Sequence, residues 1–278
     1  MKHKFQLIAL DLDGTCLTSS GVMTRRLQHN LHSLIQHGIL LVIATGRPLS
    51  GIPKEFQANP LKASYFITLN GAQIYNSNDT SPIYLQGISS PALPLISQTV
   101  SDFPVLADFI TGDTAYSLKN QYQHADRYLT SPHFLTYYQN SRIPIVDQDW
   151  HQKLQTETSI EKCNLFFTSP SDRERFRSIL PDLPHTNICS GMDYNLELTH
   201  KNATKGAALS WLSQLLSIPT PQILAIGDSE NDRDMIQLAG MGIAMGNAKD
   251  TVKQLADCVT SSNDQEGVSL ALERHFCL

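Results

Sequence analysis

The chain has 278 residues, 41% of them hydrophobic and 17% charged, which is enough to bury a sizeable core and unlike a disordered segment. Its formal net charge of -5 excludes the basic excess that a nucleic-acid-binding surface needs. No apolar run approaches the roughly 20 residues of a membrane span, and five scattered cysteines without a C-x-x-C pair (Cys16, Cys163, Cys189, Cys258, Cys277) fit reduced thiols in a cytoplasmic protein.

The basic start, Met1 to Lys4, precedes a short apolar run that carboxylates interrupt too early for a secretion signal. Phe5 to Leu10 is apolar almost throughout, the pattern of a strand buried on both faces of a parallel sheet. It ends in Asp11-Leu12-Asp13-Gly14. Two carboxylates one residue apart repel unless a positive charge lies between them, and a hard cation with oxygen ligands, most simply Mg²⁺, meets that need. Taken alone, the same four residues also make an ordinary turn. Cys16, close by, reads as a small buried apolar residue rather than a nucleophile.

Residues 24–37 predict a helix with Leu27, Leu31, Leu34 and Ile35 on one face and Gly38 as its stop. His29 and His32 share its polar face. A second apolar strand, Ile39 to Ala44, completes a right-handed strand–helix–strand unit and ends in Thr45-Gly46-Arg47-Pro48. A hydroxyl, an accessible backbone N–H and a guanidinium suit an oxyanion, although a proline-closed turn accounts for them equally. Residues 65–69 form a third strand ending in Asn70-Gly71, a strong turn signal at a position that could also face a ligand.

From about residue 84 the texture changes. Ser90-Pro91 starts a helix, residues 111–119 suggest a hairpin, and 163–167 and 187–189 read as strands. Residues 172–180 read as a helix with Phe176, Ile179 and Leu180 inward and Pro181 ending it. Residues 194–199 alternate, with Tyr194, Leu196 and Leu198 opposite Asn195, Glu197 and Thr199, which predicts a sheet with one wet side. The block is expected to be an α+β domain inserted at residues 85–190. In it Arg127, Arg142, His124, His133 and Tyr137 are candidate contacts that ordinary surface positions would also explain.

Thereafter the first texture returns. Thr204-Lys205-Gly206 opens a helix with the stripe Ala208, Leu212, Leu215 and Leu216. A strand over 222–226 ends in Gly227-Asp228-Ser229-Glu230-Asn231-Asp232, and helix, strand, helix, strand and helix follow to residue 275. The expected fold is α/β: a Rossmann-like doubly wound parallel sheet core, residues 1–84 and 191–278, with the inserted α+β cap domain. Four polar clusters fall at strand ends or a helix start: Asp11/Asp13, Thr45/Gly46, Lys205 and Asp228/Asn231/Asp232. Together they supply what phosphoryl transfer needs: a nucleophile, an acid/base, carboxylates for a cation, a hydroxyl for phosphate and a positive charge.

In that order and spacing, D-x-D-G-T at 11–15, Thr45-Gly46-Arg47, Lys205-Gly206 and G-D-x-x-N-D at 227–232 resemble a haloacid-dehalogenase-superfamily phosphatase. Ala44 to Arg47, Asn70-Gly71-Ala72, Met245 to Ala248 and Asn263 to Val268 resemble its Cof-type subgroup, which carries a large cap. The resemblance implies Asp11 as nucleophile and Asp13 as acid and base, with Thr45, Gly46, Lys205 and Asn231 at the phosphate. It implies Mg²⁺ held by Asp11, Asp228 and the Asp13 main chain, with Asp232 supporting them. Arg47 and Asn70 are further candidates near the substrate. The expected activity is Mg²⁺-dependent hydrolysis of a small phosphorylated metabolite. A phosphomutase of the same fold and a phospho-accepting regulatory module are the alternatives.

Overall fold

The computed structural model describes residues 4–156, 160–180, 182–190 and 194–276. Cys277 and the expected helix stop at Pro181 lie outside them. Strand β1 (Leu7–Leu10) leads through α1 (Arg25–Gln36) to β2 (Leu40–Ala44). A short α2 (Lys54–Gln57) then precedes β3 (Tyr65–Thr68), β4 (Gln73–Asn76) and β5 (Tyr84–Leu85). The middle block runs α3 (Leu93–Ser101), β6 (Leu106–Thr111), β7 (Thr114–Leu118), α4 (Lys119–Tyr122), α5 (Pro132–Ser141), β8 (Arg142–Ile145), α6 (Asp147–Thr156), β9 (Lys162–Phe166), α7 (Pro170–Ile179), β10 (Thr186–Cys189) and β11 (Asn195–His200). The last block holds α8 (Lys205–Leu216), β12 (Ile223–Gly227), α9 (Arg233–Leu238), β13 (Met241–Ala244), α10 (Asp250–Lys253), β14 (Cys258–Val259) and α11 (Gly267–Phe276).

The chain divides into two compact units, with breaks between Leu85 and Gln86 and between Ala203 and Thr204. The first unit holds an eight-stranded sheet in the order β14-β13-β12-β1-β2-β3-β4-β5. The strands from β14 to β3 are parallel, and β4 and β5 are antiparallel additions. Both faces are covered. Ile8 and Leu10 pack with Leu27, Leu31, Leu34 and Leu272 of α1 and α11, while Leu7 and Ala9 pack with Ala208, Leu209 and Leu212 of α8. Double burial is why β1 reads as a continuous apolar run. In α8 the inward stripe uses Leu209, whereas Leu215, expected inside, is exposed.

The second unit holds a six-stranded sheet, β10-β11-β9-β6-β7-β8. β11 pairs with β9 and β10, so residues 194–203 belong to this unit and not to the core as expected. One face, with Phe109, Cys163, Leu165, Leu196 and Leu198, packs on Ile96, Val100, Trp150 and Phe176 of α3, α6 and α7. The opposite face is not wet. Leu106 and Phe166 pack under Ala125, Leu129 and Tyr138, and Asn195 and Thr199 are buried. The polar groups there satisfy one another. Asp108 accepts from Arg142 Nε at 3.0 Å and Asn164 Nδ2 at 2.5 Å, and Lys162 pairs with Glu197 at 2.9 Å. Hydrogen-bonded partners make that burial tolerable. Arg142 is therefore a buried ion-pair residue, while His124 and Arg127 are exposed. Ile179, expected inward on α7, and Tyr194, expected on the inward face with Leu196 and Leu198 but lying just before β11, are exposed. Among the described residues no helix is long and apolar enough to cross a membrane.

Candidate active site

Parallel pairing brings the first and last motifs together. Leu10 stands opposite Ile226, and the Asp11 N–H donates to the Ile226 carbonyl at 3.1 Å, so the loops after β1 and β12 leave the sheet side by side. Gly14, at φ +80°, folds the first loop against the second; a Cβ there would lie 2.6 Å from Asp228 Oδ2. Thr15 Oγ1 donates to Asp228 Oδ1 at 2.8 Å, and Ser229 Oγ donates to Oδ2 at 3.0 Å. Asn247 Nδ2 donates to the Gly14 carbonyl at 2.9 Å.

The start of α8 delivers the cation. Thr204 accepts from the Ala207 N–H at 3.1 Å as the helix N-cap, and Lys205 is the first helical residue. Its side chain is 1% exposed, and Nζ lies 2.6 Å from both Asp11 Oδ1 and Asp232 Oδ1. The other oxygen of Asp232 accepts from the N–H groups of Asp228 (3.0 Å) and Ser229 (2.9 Å). Asp232 thus holds the lysine with one oxygen and the β12 loop with the other.

Carboxylate oxygens of Asp11, Asp228 and Asp232 lie within 4.8 Å of one another. Burial, then the neighbouring charge of Asp232, pushes the carboxyl groups of Asp11 and Asp228 above the usual range. Burial works against the Lys205 ammonium, yet Asp11 and Asp232 outweigh it and hold the amine firmly protonated. Three carboxylates against one ammonium leave two negative charges, the charge that a divalent cation cancels. The donors are all oxygen and Asp11 and Asp228 are within bridging distance, so the residues fit Mg²⁺. One Asp232 oxygen is taken by the Lys205 ammonium and the other by two backbone N–H groups, whereas each Asp228 oxygen accepts from a single hydroxyl, so Asp11 and Asp228 are the carboxylates with acceptor capacity left for the ion.

The remaining candidates surround this trio unevenly. Thr45, at the end of β2, is buried, and its Oγ1 accepts from the Arg47 N–H at 3.2 Å, with Gly46 between them. Asp13 does not join the carboxylate trio. Its side chain is 57% exposed and is gripped by Arg47, Nε to Oδ2 at 2.8 Å and Nη2 to Oδ1 at 2.5 Å. Asn70 is buried, and its Oδ1 accepts from Asn231 Nδ2 at 3.0 Å. Cys16 is buried and unreactive, because burial and the charges of Asp11 and Asp13 push its thiol up. The sequence reading missed the Arg47–Asp13 pair and the hydrogen-bonding roles of Thr15, Ser229 and Asn247. Ser229-x-x-Asp232 does carry a visible signal, since Ser and Asp at that spacing form a capping box, as they do here.

The sequence matches the family of haloacid dehalogenase-like hydrolases over residues 8–272. The chain belongs to that family, and the resemblance carried by its motifs holds. It is 28% identical, over the full length of both chains, to the 5-amino-6-(5-phospho-D-ribitylamino)uracil phosphatase YitU of Bacillus subtilis. Among solved structures it is similar to a haloacid dehalogenase-like hydrolase from B. subtilis, with TM-score 0.84, 27% identity and coverage of 98% of this chain and 100% of that one. Another such hydrolase, from Bacteroides thetaiotaomicron, aligns with TM-score 0.82 and 29% identity over 98% of this chain and 100% of that one. The α/β architecture expected from the sequence is the architecture of these neighbours.

Proposed function

We propose that the chain is a Mg²⁺-dependent phosphatase that hydrolyses a small phosphorylated metabolite through an aspartyl-phosphate on Asp11. The observation that carries this reading is the buried Asp11 carboxylate, bonded to Lys205 and within 4.8 Å of Asp228. A carboxylate that attacks a phosphate dianion must overcome like-charge repulsion, and here the opposing charges are already assembled. Mg²⁺, when bound, adds charge neutralisation at Asp11 and the phosphate.

In the first half-reaction an Asp11 oxygen bonds to phosphorus, the bond to the leaving oxygen breaks, and Asp13 gives that oxygen its proton. In the second, Asp13 takes a proton from water as the water oxygen attacks phosphorus; Asp11 and inorganic phosphate are released. Thr45 and the Gly46 N–H hold phosphate oxygens, and Arg47, already on Asp13, keeps that carboxylate at the mouth of the site. The named substrate of the B. subtilis relative supports a phosphorylated small molecule as substrate class. Five scattered cysteines without a C-x-x-C pair support a cytoplasmic location.

The test is phosphate release from a panel of phosphorylated metabolites, with Mg²⁺ or with chelator, by wild type and by Asp11→Asn. The expected result is metal-dependent release by wild type and background release by a folded Asp11→Asn. Wild-type rates in Asp11→Asn overturn the nucleophile assignment.

A further inference from the structure

The loop that carries Asp13 is held from behind by residues that take no part in the chemistry above. Strands β14, β13, β12 and β1 are parallel neighbours, so the loops after all four leave the same edge of the sheet. The loops after β13 and β14 both reach the loop after β1, two and three strands away. Asn247, after β13, donates from Nδ2 to the Gly14 carbonyl at 2.9 Å and accepts at Oδ1 from the Asn263 N–H at 3.1 Å. Asn263, after β14, donates from Nδ2 to the Leu17 carbonyl at 2.9 Å. Its neighbour Asp264 accepts from the Ser19 N–H at 2.8 Å and from the Ser19 hydroxyl at 2.6 Å. Two side-chain amides in series therefore brace the first loop at Gly14 and Leu17, and Asp264 extends the brace to Ser19. The loop's own bonds are weaker: the Thr15 and Cys16 N–H groups donate to the Leu12 and Asp11 carbonyls at 3.3 Å each, at the long end of the usual range.

We propose that Asn247 and Asn263 are positioning residues for proton transfer: they fix the backbone on which Asp13 stands, so that its carboxyl group meets the leaving oxygen. The proposal rests on the phosphatase reading above and names the step it affects. Asp13 is more than half exposed, so packing does not place its side chain; Arg47 and the backbone beside Gly14 do. Asp11 is placed differently, by the pairing of β1 with β12 and by Lys205. Loosening the brace therefore moves the proton donor and leaves the nucleophile where it is. Proton donation matters most when the oxygen leaves as a strongly basic anion and least when it leaves as a stable one. The cost of a misplaced Asp13 should accordingly grow as the leaving group becomes poorer.

The test uses the full chain at saturating Mg²⁺ and compares kcat/KM for p-nitrophenyl phosphate with that for phenyl phosphate, whose leaving group is the poorer. The variants are Asn247→Ala, Asn263→Ala and Asn247→Asp, which keeps the acceptor for Asn263 and removes the donor to Gly14. Each is made alone and together with Asp13→Asn. The single variants are expected to lower kcat/KM by about ten-fold for phenyl phosphate and by about two-fold or less for p-nitrophenyl phosphate, a part of the roughly 10²–10⁴-fold that a positioned acid supplies. In the Asp13→Asn background they should cost nothing further, because residues that act through one another are not additive. Hydrogen exchange at the amides of residues 15–17 should speed up in each variant, while stability in urea stays close to wild type. Equal losses on the two esters, an unchanged ratio between them, or a further loss on top of Asp13→Asn overturns the proposal. If wild type releases phosphate from neither ester nor from the metabolite panel, the phosphatase reading fails. The exchange measurement still stands in that case, and wild-type exchange at residues 15–17 in Asn247→Ala overturns the brace itself.

Discussion

Lys205 shows how little freedom one side chain has in this site. It is shut away from water between Asp11 and Asp232, with its ammonium bonded to both. Removing the ammonium strands two buried carboxylates. Lys205→Met is therefore expected to destabilise the fold by about 3–5 kcal/mol in urea unfolding, as breaking a buried ion pair does. Asp11→Asn, which keeps shape and hydrogen bonding, should unfold close to wild type yet lose turnover. Asp11, Lys205 and Asp228 were legible in the sequence because charged residues at strand ends and a helix start stand out against apolar runs. The hydrogen-bonding roles of Thr15, Ser229 and Asn247 were not, because a small polar residue that grips a site looks the same in sequence as one that closes a turn. Arg142 was read as surface because its partner Asp108 lies on another strand, 34 positions away.

At the scale of the element, α8 separates what periodicity tells from what it does not. The helix, its start at Thr204-Lys205-Gly206 and the inward Ala208 and Leu212 followed from spacing, but the stripe was placed to include Leu215 where the sheet takes Leu209. A helix with apolar residues on several sides does not declare which of them faces the core. Leu209→Ala should cost about 2–5 kcal/mol, whereas Leu215→Ala should change stability by about 0.5 kcal/mol or less, both from equilibrium denaturation. Thr204→Ala removes the cap and should cost about 1 kcal/mol. It should also lower kcat, because the first turn of this helix carries Lys205. β11 was misjudged for a related reason. Its alternation was real, but Asn195 and Thr199 on its polar side are buried, and no strand sequence announces what other segments lay over it.

For the molecule as a whole, the division into two units was legible from the change in texture, and its second boundary was not. A strand that closes one sheet and a helix that opens the next are separated only by residues 201–204. The charge balance of the site makes a prediction at this scale. An ion that binds only the folded first unit stabilises it by mass action, by about 2.7 kcal/mol at 100 times its Kd. Mg²⁺ should therefore raise the melting temperature and chelator should reverse the rise. Asp228→Asn, which removes one of the two carboxylates able to hold the ion, should abolish most of the shift.

The central position of β1 also bears on how the protein is made. Its partner β12 is 216 positions further along, beyond the whole inserted unit. On the ribosome, β1 and β2 emerge early with one sheet edge open, and that edge stays bare until most of the polypeptide has been translated. An apolar strand with an unpaired edge invites association with other nascent chains. Crowded expression at high temperature should therefore favour aggregates nucleated at residues 5–10, and slower synthesis or a strand-shielding chaperone should recover soluble protein.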